Sequence, residues 1–212
     1  MLAPRGTSLS AGLRRYIEEG EARGVHKAYK CTIRDPWYRA PVVPVPDLFF
    51  TYMSHRYPRL VTNEARATFL NSLHGLVLHD GTAELAREAL PLLSLNSVTM
   101  LGAELTGRSY GGGILKMEPR EAAQLPVPNE RTLRAGWSRV APKRLQLDAA
   151  LRAGEWRAVV DEIDDAVLGA GAGVPAKDRL AIREESVRLR RPAHQTRGSV
   201  VGAEGRRFRV VR

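Results

Sequence analysis

The sequence contains a single cysteine, Cys31, among 212 residues. A lone thiol excludes an intramolecular disulfide framework and any cysteine-rich zinc site. Nowhere does an apolar run reach the roughly eighteen residues that a membrane-spanning helix requires, so no membrane partner is expected. Met1–Ser10 carries Arg5 but no apolar stretch behind it, so a secretory leader is not expected and the cytoplasm is the expected compartment. Several catalytic signatures are also missing. There is no Gly-Lys-Ser/Thr phosphate loop and no His-x-x-x-His or His-Glu metal pair. Cys31 has no signalled base beside it. Nothing in the sequence amounts to a self-contained active site.

What is abundant is positive charge. Thirty-three Lys and Arg against 23 Asp and Glu give a net charge of +10, with a pI near 10.3. Such a balance favours a polyanionic partner, nucleic acid first and a membrane surface second. A genome-driven preference for arginine is the alternative reading. The distribution adds detail: residues 1–60 carry +5, residues 61–129 carry −2 and residues 130–212 carry +7. A near-neutral middle with basic flanks suits a packed scaffold that presents basic faces.

The pattern along the chain predicts an α+β fold, a small and mostly antiparallel sheet with packed helices followed by a helical C-terminal region. Gly12–Gly24 reads as a short helix. Tyr29-Lys-Cys-Thr-Ile-Arg34 alternates as a strand would, then turns at Asp35-Pro36 into an exposed Trp37-Tyr38-Arg39. Short β-type runs follow at Leu48–Met53, Arg59–Thr62, Ala67–Leu70 and Gly75–Leu78. Two helices are expected over Thr82–Leu90 and Pro91–Leu105, with Pro91 opening the second. Gly111-Gly-Gly113 marks a loop, Ile114–Met117 a strand, and Pro119–Leu125 a helix stopped by Pro126-Val-Pro128. Beyond a boundary near residue 130, Leu145–Leu151 and Trp156–Leu168 read as amphipathic helices broken at Gly154. Gly169–Pro175 reads as a flexible joint, Asp178–Leu189 as a charged helix and Arg190–Arg212 as a poorly ordered basic tail.

Three clusters have the chemistry of a nucleic-acid surface. Lys30 and Arg34, with Lys27, lead into Trp37, Tyr38 and Arg39, combining phosphate-binding cations with rings able to stack or wedge at a base. Around His55, Arg56, Arg59 and Asn63, continuing to Asn71 and His74, arginine can read guanine and asparagine adenine. Arg108, Tyr110, Gly111, Gly112, Gly113 and Lys116 combine cations with a backbone free of side chains, whose N–H groups can approach a phosphate.

Taken in order, Tyr29–Tyr38, Asn63 through Asn71-Ser-Leu-His-Gly75, Leu95-Asn-Ser97, Gly107-Arg-Ser-Tyr-Gly-Gly-Gly-Ile-Leu-Lys-Met-Glu-Pro119 and Gln124-Leu-Pro-Val-Pro128 resemble a known family. It is the C-terminal target-recognition, or specificity, region of restriction–modification adenine-specific DNA methyltransferases, and the resemblance covers roughly residues 15–128. It implies sequence-specific binding of double-stranded DNA by a target-recognition domain over 1–129, followed by a helical appendage over 130–190 and a basic tail over 191–212. In that family a separate N-terminal domain binds S-adenosylmethionine and holds the flipped adenine with an Asn-Pro-Pro-Tyr/Phe motif. This sequence has neither that motif nor a cofactor-binding glycine motif. The resemblance therefore implies no catalytic, cofactor-binding or metal residues here, and a separate methyltransferase catalytic chain as the partner. The alternative is a free-standing DNA-binding or interaction protein derived from such a domain. Leu147, Leu151, Val159, Val160 and Ile163 are further expected to offer a docking surface for that partner.

Overall fold

A computed structural model describes residues 9–40, 43–79, 81, 83–111, 113–189 and 209–211. Contacts divide the chain into two units, which meet in sequence at Pro44/Val45. The change of composition near residue 130 falls inside the second unit.

The first unit is helical. Ser10 caps α1 (Ala11–Ala22) by accepting a hydrogen bond from the Leu13 N–H at 3.3 Å. A 3-10 turn at Val25–Lys27 leads to α2 (Tyr29–Thr32). The strand expected from Tyr29 is thus a helical turn, closed by the Cys31 N–H on the Ala28 carbonyl and the Thr32 hydroxyl on the Tyr29 carbonyl. A strand at this place would need a partner, and none exists among residues 9–40. Trp37, expected to be exposed, is half-buried: its ring lies over Gly20 and its indole N–H donates to Glu21 Oε1 at 2.9 Å. Among the described residues of this unit Ile17 is the one buried apolar residue, whereas Tyr16, Tyr29 and Ile33 are exposed.

The second unit is the α+β fold expected from the sequence. Strands β1 (Leu48–Thr51) and β2 (Met53–Ser54) are two halves of one extended run that bends at Tyr52. β1 belongs to an antiparallel sheet with β3 (Leu60–Thr62), β4 (Leu73–Val77) and, at the far edge, β7 (Arg209–Val211), in the order β3-β1-β4-β7. β2 joins a second sheet with β5 (Arg108–Tyr110) and β6 (Ile114–Lys116), in the order β2-β6-β5. The rest of the expected tail, Arg190–Phe208 and Arg212, lies outside the described residues.

Alternation along β1 buries Leu48 and Phe50 and leaves Phe49 and Thr51 half-buried. The inward residues meet α3 (Ala83–Leu93), α6 (Glu130–Val140) and α8 (Trp156–Asp164) in one apolar core. Leu90, Leu93, Val140, Val159 and Ile163 are wholly enclosed, each side chain contributing about 1.5–3 kcal/mol of burial. Leu147 of α7 (Arg144–Ala153), Val159, Val160 and Ile163 are spent inside the core, and Leu151 is half-buried against it. That corrects their expected role as a docking surface.

Three element boundaries differ from expectation. Pro91 sits inside α3 and does not open α4 (Ser97–Thr106). A proline there leaves the carbonyl four residues back without its helical donor. That carbonyl belongs to Arg87, and it accepts the Thr62 hydroxyl at 2.9 Å instead. Ala67–Leu70 is irregular, because Asn63 takes both the N–H and the carbonyl of Ala67, and Phe69 packs edge-on against Phe49. Gly169–Gly171 is no flexible joint. It ends a π-helical segment, Asp165–Gly171, that packs against α6, where a Cβ on Gly171 would stand 2.9 Å from Thr132 Cγ2. The chain then continues into α9 (Ala176–Leu189).

A buried polar node ties the helices together. Asp164 is fully enclosed and accepts from the Ser97 N–H at 2.7 Å, the Ser97 hydroxyl at 2.6 Å and the Arg183 guanidinium at 3.0–3.1 Å. Beside it, Asn96 caps α4 through the Thr99 N–H and donates to the Leu93 carbonyl, and the Thr99 hydroxyl donates to the Pro126 carbonyl. Leu95-Asn-Ser97 and Pro126-Val-Pro128 therefore meet through structural hydrogen bonds.

Candidate nucleic-acid interface

The β5–β6 hairpin turns at Gly111–Gly113, where Gly113 takes φ +77°, a left-handed conformation that side chains disfavour. Its register places Arg108 opposite Lys116, Ser109 opposite Leu115 and Tyr110 opposite Ile114, while Met53 of β2 pairs with Lys116 on the other side. Because side chains alternate between faces, Leu115 points into the core and Met53, Lys116, Arg108 and Tyr110 share the opposite face. Arg108 and Tyr110 are exposed, and Lys116 is half-buried with its ammonium 5.9 Å from the Tyr110 ring centre and 5.2 Å from that of Tyr52.

Two carboxylates from α5 (Pro119–Ala122) and its N-cap fix these cations. Glu118 Oε1 accepts from Lys116 Nζ and from the Tyr52 hydroxyl, both at 2.8 Å. Glu121 reaches back to the Glu118 N–H at 2.8 Å and also holds the Arg108 guanidinium. Hydrogen bonds from Lys116 and then Tyr52 keep the Glu118 carboxyl below the usual carboxylate range. The same contacts, Glu118 first and Tyr52 second, hold the Lys116 ammonium well above the usual lysine range. Arg108 is likewise raised, chiefly by its hydrogen bond to Glu121. The hairpin face is thus rigidly backed, and two of its cations are already paired.

Tyr52, Glu118 and Glu121 were not singled out in the sequence. The Glu118-Pro119-x-Glu121 spacing of a capping box was the available signal for the two acids. Tyr52 gave none, because its role comes from the bend between two sheets.

The remaining expected site residues fall into three groups. His55, Arg56, Arg59, Asn71, Gly111 and Gly113 are exposed, and Gly112 lies outside the described residues. Asn63 and His74, expected to face DNA, are instead buried and hydrogen-bonded. Asn63 Nδ2 donates to the Pro46 and Ala67 carbonyls, and His74 Nε2 meets the Met117 carbonyl at 2.7 Å between the Phe50 and Tyr52 rings. In the first unit Lys30, Arg34 and Arg39 are exposed, and Trp37 and Tyr38 are half-buried with their rings 6.0 Å apart, edge to face.

Neither glycine run has the strand-to-helix setting of a cofactor loop: one is a hairpin turn, the other a packed π-helical turn. Among the described residues no group of three or more His, Cys, Asp or Glu side chains is placed to hold a metal ion. No helix among them is long and apolar enough to cross a membrane.

Comparison with known proteins fits this picture. Over 123 residues, 57% of the chain, the sequence is 27% identical to the type II methyltransferase M.XamI of Xanthomonas campestris pv. amaranthicola. The match covers 22% of that relative, so the chain spans about a fifth of its length. No solved structure matches. Residues 1–168 match the family described as type II methyltransferase M.Eco57I, C-terminal domain. The chain belongs to that family of methyltransferase C-terminal domains.

Proposed function

We propose that this chain binds double-stranded DNA sequence-specifically, as the target-recognition part of an adenine-specific DNA methyltransferase of the restriction–modification type. Methyl transfer, and the binding of S-adenosylmethionine, belong in this reading to a separate catalytic part. The setting of the two glycine runs, one beside a hairpin and the other in helix packing, supports leaving that cofactor to the catalytic part.

The observation that carries the reading is the β5–β6 hairpin. It presents exposed Arg108 and Tyr110 on a face held from behind by Leu115, Tyr52, Glu118 and Glu121. A two-stranded ribbon of this kind fits a groove of the duplex, where its cations grip phosphates while neighbouring exposed side chains such as Arg56 and Asn71 read base edges. Exposed His55 and Arg56 follow directly on β2, in the same sheet. Family membership and the +10 net charge support the same partner.

The test is selection from a random duplex pool by the full chain. One short enriched motif is expected. Arg56→Ala or Asn71→Ala then changes the motif, whereas Arg108→Ala or Lys116→Ala lowers affinity alike for all sequences. A pool that stays random would overturn the reading.

A further inference from the structure

The loop after β2 and the start of α8 meet through their aromatic rings. Tyr57 is buried, and its ring centre lies 5.6 Å from that of half-buried Trp156, tilted at 39°. Each ring carries an arginine. The Arg59 guanidinium stands 4.8 Å from the Tyr57 ring centre, and the Arg157 guanidinium 5.4 Å from that of Trp156. Both arginines are exposed, and neither forms an ion pair among the described residues. Asp161, one helical turn beyond Arg157 and its natural partner, is taken by Arg183 at 2.8 Å.

This sets the two apart from the hairpin cations. Arg108 and Lys116 are each held by a carboxylate, so their charge is largely compensated before any ligand arrives. A ring holds a guanidinium in place without cancelling its charge, and it leaves the edge N–H groups free to grip a phosphate through two parallel hydrogen bonds. Stacking also removes part of the rotamer freedom that an exposed arginine otherwise loses on binding.

We infer that Arg59 and Arg157, held in place by the Tyr57–Trp156 ring pair, form a two-point contact for the phosphate backbone of duplex DNA. The helical region after residue 130 thereby takes part in binding. The inference rests on the DNA reading above and adds to it a specific pair of backbone contacts.

The test is the affinity of the full chain for a selected and a scrambled duplex over a series of salt concentrations. For Arg59→Ala and Arg157→Ala the slope of log affinity against log salt is expected to shrink by about 0.9 each, equally on both duplexes. Arg157→Lys keeps the slope. Trp156→Leu keeps the slope but lowers affinity, and Arg157→Gln repeats the Arg157→Ala result in a side chain that preserves packing. Wild-type slopes in both alanine variants would overturn the inference while leaving DNA binding intact. If those variants instead lost affinity only for a catalytic partner, the arginines would belong to an acidic protein surface, which also overturns it. A wild-type chain that binds no duplex would remove the DNA reading itself.

Discussion

Two arginine–carboxylate contacts in the second unit sit in opposite surroundings. Arg183 meets Asp164, whose side chain is 0% exposed, and the same carboxylate also receives both donors of Ser97. Arg108 meets Glu121 on the hairpin face, with the arginine side chain 68% exposed. The chemistry is the same and the dielectric is not. A buried carboxylate depends on every donor it has, because the cost of removing it from water is offset only by those partners. An exposed pair contributes little to stability, since water and salt screen it. The buried node therefore holds the fold, whereas the exposed pair can open toward a ligand at little cost in stability.

The largest effect expected from this contrast is at Asp164. Asp164→Ala leaves Arg183 and the Ser97 donors without their acceptor and is expected to cost about 3–5 kcal/mol, read from urea unfolding. Asn96→Ala comes next, at about 2 kcal/mol, combining a lost helix cap with the unmade bonds to Leu93 and Thr99. Arg108→Ala is expected to leave the unfolding midpoint close to that of wild type while lowering duplex affinity. Equal losses at Asp164 and Arg108 would break the comparison.

The smallest effect sharpens it. Glu118 is depressed below the usual carboxylate range, chiefly by Lys116 and then Tyr52, so its contribution is present above the unfolded carboxylate value and fades as the pH falls through the folded one. Glu118→Gln is therefore expected to lower the unfolding midpoint slightly at neutral pH. The gap from wild type should close below the usual carboxylate range. A gap that persists in acid would show that the pair acts through packing and not through charge.

How much of this was legible in the sequence follows the same division. Local patterns were readable: the alternation of Leu48–Thr51, the amphipathic stretches of α7 and α8, and the strand after Gly111–Gly113. Properties set by distant partners were not. Asn63 and His74 have side chains suited to reading bases, yet contacts to Pro46, Ala67 and Met117 enclose them. Pro91 stays inside a helix because Thr62, 29 residues earlier in the chain, supplies the donor its own turn lacks. Helix α6 went unread, although Asn129 caps it through the Thr132 N–H. The proline-rich approach at Pro126-Val-Pro128 masked that start. Gly169–Gly171 looked like a linker because glycine signals both freedom and close approach, and only the neighbouring Thr132 tells which applies.

The most direct measurement is the ratio of affinities of the full chain for its selected duplex and for a scrambled duplex of equal length, at one physiological salt concentration. A target-recognition domain is expected to prefer its own site by at least about 10³-fold. A ratio near one, with binding that responds to salt alone, would contradict sequence recognition and leave only a basic surface.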